Sequence, residues 1–215
     1  MRRQTYSLNQ FAAYFSYTLV LTGIIDFANG TVRGEPQFSP AELPLLTKHA
    51  REHGLKTFVH CSGTDGLHLA VAARVDSIEH GFFMNRAILE QMAEKRIVWV
   101  PTFIPVEFQA RHGGWDLDTV AGLRRILDNH ASMLVLAADL GVPVMAGSDA
   151  GSPGVKHGSG ILEELKLMYA AGLDRDRVLA GATSVPQEHF RLNGGYIAVG
   201  RKADFITCDP LDQPV

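Results

Sequence analysis

Cysteine is scarce: Cys61 and Cys208 are the only two in 215 residues and share no CxxC spacing. Neither a disulfide framework nor a thiolate zinc knuckle therefore organises the chain. Glycine-rich phosphate loops of the GxGxxG or GxxxxGK[ST] kind are absent, which disfavours a nucleotide-binding doubly wound sheet. No long basic run occurs, and 20 Lys and Arg against 23 Asp and Glu leave a net charge of -3. Such a balance points away from nucleic acid and towards a small-molecule partner. Membrane-length apolar runs are missing too. In "MRRQTYSLNQFAAYFSYTLVLTGII" the apolar stretch is broken by Gln4, Ser7, Asn9, Gln10, Ser16 and Thr18, and no clear small-residue cleavage pattern follows; the expectation is mature sequence, with no membrane span. The two lone cysteines fit a reducing cytoplasm. Finally, no histidine precedes His49 and no lysine precedes Lys48.

What is present is a repeated unit. Strands are expected at Lys56 to Cys61, Ser77 to His80, Ile97 to Thr102 and Pro143 to Gly147, alternating with helices at Asp65 to Arg74, Asn85 to Lys95 and Leu117 to Leu140. A further buried strand is expected from about Tyr17, after a short helix ending near Ala13. That alternation implies parallel strands joined by crossover helices, and the mainly apolar strands suit a sheet covered on both faces. Helix punctuation agrees: "SPAEL" sets Ser39, Pro40 and Glu42 as a capping box, and Gly54, Gly141 and Gly172 close helices. With 46% hydrophobic residues the chain can bury a sizeable core, and a (β/α) barrel is the favoured architecture.

In such barrels the chemistry sits at the C-terminal strand ends. His60 ends one expected strand, His80 the next, and Asp149 follows "VPVMAGS" at the last. A single strand-end histidine usually just bonds a backbone carbonyl; two imidazoles and a carboxylate in order suggest a zinc or similar divalent site. The pieces "TFVHCSG", "DSIEHG", "VPVMAGSDAGSP", "HGSGILEELKLMYAAGL" and "GYIAVGRKADFITCDP", in this order, resemble the amidohydrolase superfamily of metal-dependent hydrolases, in its imidazolonepropionase-like and prolidase-like branch. The resemblance implies a (β/α)8 TIM-type barrel and hydrolysis of a carbon–nitrogen bond in a cyclic amide, amidine or peptide-like substrate. It implies His60, His80 and Asp149 as metal ligands, Asp149 also as general base, His157 as a substrate contact, and a divalent metal, zinc, as cofactor.

The departures from that pattern shape the remaining expectations. In the family the first strand ends in His-x-His and the fourth commonly supplies a carboxylated lysine that bridges two metals; neither has a counterpart here. Either Thr18 or Asp26 stands where the lysine would be, depending on whether "YTLVLTG" or "GIIDFANG" is the fourth strand. The chain thus resembles about strands 4 to 8 of the barrel over residues 1–192, with a β-hairpin tail over 193–215 (Tyr196 to Val199 and Ala203 to Cys208). An open barrel exposes sheet edges and favours pairing into a homo-oligomer or completion by further sequence. An active hydrolase and a catalytically inactive fragment both remain open. Elsewhere Cys61 and Glu79 are expected to turn to the face opposite their neighbouring histidines, and Glu163 and Glu164 to lie on a helix surface. His49, His53, His68, His112, His130 and His189 carry no expected role, and Trp99, Phe103 and Phe108 are either pocket or core.

Overall fold

The computed structural model describes residues 16–22, 25–192, 194–195 and 197–200. Strand β1 (Ser16–Thr22) is followed by a two-rung antiparallel hairpin, β2 (Ile25–Asp26) and β3 (Thr31–Val32). Then come α1 (Glu42–Glu52), β4 (Lys56–Cys61), α2 (Thr64–Ala72), β5 (Ser77–His80), α3 (Arg86–Lys95) and β6 (Val98–Val100). The chain continues as α4 (Ile104–His112), α5 (Leu117–Asp139), α6 (Ser159–Ala170), α7 (Arg175–Ala182) and α8 (Ser184–Phe190). The main sheet is four-stranded and wholly parallel, in the order β1-β4-β5-β6. Parallel neighbours need a crossover, and α1, α2 and α3 supply it. The architecture is therefore α/β, as the alternating sequence pattern implied.

Local chemistry sets the element ends. At α1, Ser39 Oγ accepts the Glu42 amide at 3.3 Å while the Glu42 carboxylate accepts the Ser39 amide at 2.9 Å, the reciprocal capping box read from "SPAEL". Asn85, Asp116 and Asp174 cap α3, α5 and α7 through their side-chain oxygens. The α1 exit turns through Gly54 with φ +69°, a left-handed conformation that costs glycine little.

Alternation along β4 separates two packing layers. Thr57, Val59 and Cys61 are buried towards the helices, where Leu43, Leu67, Ile78, Leu89, Trp99 and Leu134 build the main core. Phe58 on the other face meets the Phe190 ring edge-on at 5.5 Å. A smaller cluster of Val98, Val100 and Met145, packed by Val185 and Phe190 of α8, fills that second face. A sheet covered on both sides explains the near-continuous apolar strands.

Three expectations change. The strand expected at Pro143 to Gly147 is a single bridge, Val144 to Trp99. Trp99 N donates to the Pro143 carbonyl and Met145 N to the Trp99 carbonyl, each at 2.9 Å, but the Ala146 amide is drawn to the Gly181 carbonyl of α7, so the ladder stops after one rung. Helix α4 was not anticipated; its Pro105 stands in the first helical turn, where proline is tolerated. In the tail, Ile197 to Gly200 are coil and turn; the rest of the expected hairpin, Cys208 and the helix expected to end near Ala13 lie outside the described residues. No helix among the described residues is long and apolar enough to cross a membrane.

Candidate active site at the C-terminal edge of the sheet

Strands β4 and β5 end side by side, with His60 level with Glu79 and Cys61 level with His80. Paired residues of a parallel ladder share a face, so regular pleating puts Glu79 beside His60 and sends His80 to the helix-covered side. The backbone overrides this at its last residue. His80 has φ +68° and Gly81 φ +69°, a left-handed turn that brings the two imidazoles together with ring centroids 4.6 Å apart and planes at 70°. Trp99 holds the turn, donating Nε1–H to the His80 carbonyl at 2.8 Å. It also explains Gly81: a Cβ there would meet Trp99 Nε1 at 2.9 Å and Met84 Cε at 2.8 Å.

Six described non-glycine residues have positive φ. Arg74, Arg96 and Arg191 stand at helix C-termini, where that geometry is ordinary. The other three, His80, Thr102 and Asp149, follow strand positions around this one edge. Backbone strain of this kind persists only where surrounding contacts over-determine it, and it gathers at functional sites.

Burial dominates the electrostatics. It drives the His80 pKa down to about 4, with His60 adding to the drop and the Asp149 charge opposing it. Burial likewise lifts Glu79 to about 7, against the Ser77 hydroxyl that donates to it and with help from Asp149. The edge therefore presents a neutral imidazole and a carboxyl that titrates near neutrality. Asp149 is exposed on the loop after the Val144 bridge, and Ser152 Oγ donates to its Oδ2 at 2.6 Å. Gly147 admits that loop, since a Cβ there would stand 2.5 Å from Val100 Cγ1. His157 is exposed on the loop leading into α6. A Cβ on Gly151 would lie 3.9 Å from its Nε2.

Behind His80 lies a buried polar bracket. Its Nδ1 is 2.6 Å from Thr102 Oγ1, the Thr102 hydroxyl reaches the Pro101 carbonyl at 2.7 Å, and His130 Nε2 reaches the same carbonyl at 3.0 Å. His130 is fully buried among Phe82, Trp99 and Phe103, and that burial takes its pKa down to about 3. Glu164 is fully buried too, accepting the Phe103 amide at 2.9 Å and the Ile104 amide at 3.1 Å where α4 begins. Its pKa rises to about 8, because burial outweighs those bonds.

The positions of the sequence-derived candidates differ in kind. His60 and His80 adjoin; Asp149 acts on His80 through its charge; His157 stands out on its loop. Yet among the described residues no three His, Cys, Asp or Glu side chains are grouped so that they could hold a metal ion. Thr18 pairs with Phe58, two residues below His60, whereas Val20 is level with His60 itself. Asp26 is engaged by Arg33 Nε at 3.1 Å and Asn29 Nδ2 at 3.0 Å, bonds that hold its pKa down to about 2.

Two expectations are corrected. Glu79 does not turn away from the site: it shares the face of His60, and His80 is the residue that leaves the pleat. Glu164 is not on a surface. Gly160, Glu164 and Met168 are all buried along α6, an i, i+4, i+8 stripe that was available as a signal. His130 and Thr102 carried no comparable sign.

The sequence model of the Amidohydrolase family matches residues 7–214, and the chain belongs to that family. It is 32% identical over 120 residues to the ochratoxinase of Aspergillus niger, a match covering 55% of this chain and 25% of that protein. An uncharacterized protein of Mycobacterium tuberculosis is 29% identical over 150 residues, covering 68% of this chain and 40% of the other. Among solved structures it is similar to a Xaa-Pro dipeptidase with methionine bound in its active site, at 26% identity and TM-score 0.74 over 88% of this chain and 47% of that one. The Aspergillus niger ochratoxinase structure shares the fold at 23% identity and TM-score 0.74, over 88% of this chain and 43% of its own. The chain thus spans less than half the length of these relatives.

Proposed function

We propose that the chain acts in a metal-dependent amidohydrolase that cleaves a carbon–nitrogen bond in a small cyclic amide, amidine or peptide-like substrate. Residues 1–192 form about strands 4 to 8 of a (β/α)8 barrel in this reading, and 193–215 its tail. The observation that carries it is the pair of imidazoles brought together at the strand ends, with burial keeping His80 neutral. A neutral imidazole is the form that donates to a metal, and burial beside a second imidazole suits a divalent ion such as zinc. His60 and His80 would hold it with Asp149 as the third donor; bound there, zinc would act as a Lewis acid and lower the pKa of water to about 7. Asp149, exposed on its loop, takes the proton of the attacking water and returns it to the leaving nitrogen. His157 contacts substrate from the following loop. Similarity to a Xaa-Pro dipeptidase supports the peptide-like choice.

A second reading is a catalytically inactive chain, favoured by the absence of a three-group metal set among the described residues. Elemental analysis after dialysis, with turnover assays on lactams and dipeptides, separates the two. The expected result is zinc below one equivalent, removable by chelator, and slow turnover that His60→Ala and His80→Ala each abolish. Wild-type protein without zinc or turnover would establish the second reading.

A further inference from the structure

The bracket behind His80 fixes where its proton sits. A carbonyl oxygen has no proton to give, so both contacts to the Pro101 carbonyl must be donated to it. Thr102 therefore commits its one hydroxyl proton to Pro101 at 2.7 Å, and His130 Nε2 is protonated at 3.0 Å. With that proton committed, Thr102 Oγ1 faces His80 Nδ1 at 2.6 Å with lone pairs only. Two lone pairs at that separation repel, so Nδ1 must carry the proton and donate it. The deduction holds whether the ring is neutral or charged, because the charged ring also has a proton on Nδ1. In the neutral ring it leaves Nε2 bare.

We propose that Thr102 is a positioning residue that locks His80 as the Nδ1–H tautomer and so presents Nε2 as the electron-pair donor of the site. The direction of the whole chain is set by the side chains that cannot turn round. His130 gives Nε2–H to Pro101, which leaves its Nδ1 as a bare nitrogen; that atom is indeed buried with no hydrogen-bond partner. Thr102 is itself pinned, nearly fully buried with φ +54°. Glu164 anchors the next two amides, Phe103 and Ile104. A histidine that ligates a metal needs its other nitrogen bonded to an outer partner that selects the tautomer and orients the ring; Thr102 meets that need with a hydroxyl oxygen. The value of Nε2 as a ligand rests on the proposed function, whereas the tautomer does not.

The test uses the full chain, metal-free, labelled with 15N-histidine at neutral pH. Long-range 1H–15N correlation reads the protonation of each ring nitrogen, and His80 is identified by its loss in His80→Gln. Wild type is expected to show protonated Nδ1 and bare Nε2. Thr102→Ser keeps the acceptor oxygen and should keep the pattern; Thr102→Val keeps the volume but removes it, and should shift the proton to Nε2 or give a mixture. Zinc affinity by chelator competition should fall about 10-fold or more in Thr102→Val and recover in Thr102→Ser. A bare Nδ1 in wild type, or an unchanged Nδ1–H in Thr102→Val, overturns the proposal. Should Thr102→Val fail to fold, the wild-type and Thr102→Ser spectra decide alone. Protonated Nδ1 in a protein that takes up no zinc supports the tautomer lock and counts against the metal reading instead.

Discussion

The two ends of the sheet treat buried charge in opposite ways. At the N-terminal end Lys56 Nζ sits 2.7 Å from Asp76 Oδ1, while Asp76 Oδ2 accepts the Thr57 amide at 2.9 Å and the Thr57 hydroxyl at 3.0 Å. Burial works to raise the Asp76 pKa, but these donors outweigh it and the net shift is downward. At the C-terminal end, among the described residues, the Glu79 carboxyl is offered one hydroxyl, from Ser77, and the His80 ring hydrogen-bonds with Thr102; burial prevails, and both groups favour their neutral forms. Between the two carboxyls the contrast is in donor number, since one donor cannot replace the hydration that a buried carboxylate loses and three can. One end is a clasp between β4 and the start of β5. The other keeps neutral groups whose lone pairs and protons remain available for chemistry.

The comparison breaks most severely at Trp99, which is fully buried and underpins the His80 turn. Trp99→Ala is expected to cost about 3–5 kcal/mol through the cavity it leaves, measured by denaturant unfolding. Trp99→Phe retains most of the burial and should cost about 1 kcal/mol for the lost bond to the His80 carbonyl. If both variants cost the same, the indole bond and not the packing would be what holds that end.

The clasp comes next. Asp76→Ala leaves the Thr57 amide without its acceptor, at a cost on the order of 1–3 kcal/mol. Because the folded pKa of Asp76 lies below its ordinary value of 3.8, its contribution is present above that value and lost as pH falls through the folded pKa. The gap between wild type and Asp76→Ala, read by unfolding at pH 7 and again below pH 3, should therefore narrow in acid. A gap that stayed constant would mean that the carboxylate charge contributes nothing to the clasp.

How much of this was legible in the sequence follows the same divide. Where structure is regular, pattern sufficed: β4 and β5 run over the residues expected of them, and Ser39 with Glu42 forms the expected box. Those features depend on local periodicity and capping, which a sequence displays. The C-terminal edge of the sheet departs from periodicity. His80, Thr102 and Asp149 take left-handed backbones that alternation cannot foresee, so the relation of Glu79 to His80 came out inverted. The link from His130 through Pro101 and Thr102 spans residues 80 to 130, and no spacing rule joins them. The hairpin β2–β3, only two rungs long, was too short to leave a pattern.

The finest prediction concerns Asp149, whose charge bears on both neutral groups. It raises Glu79 and also raises His80, against the burial that lowers the latter. Asp149→Asn should therefore lower both pKa values, by less than burial shifts either, as read by NMR titration of the metal-free chain. The consequences for stability have opposite signs. Glu79, raised from 4.5 to about 7, makes stability fall as pH climbs through that window, because there the folded state holds the extra proton. His80, lowered from 6.5 to about 4, makes stability rise over nearly the same interval, because there the unfolded state holds it. In wild type the two slopes largely offset each other. Without the Asp149 charge the Glu79 fall shrinks and the His80 rise grows, so these two groups would contribute a net gain in stability from pH 4.5 to 7. Unaltered pKa values at both residues would detach Asp149 from this edge, and with it the role given to Asp149 as proton carrier beside His60 and His80.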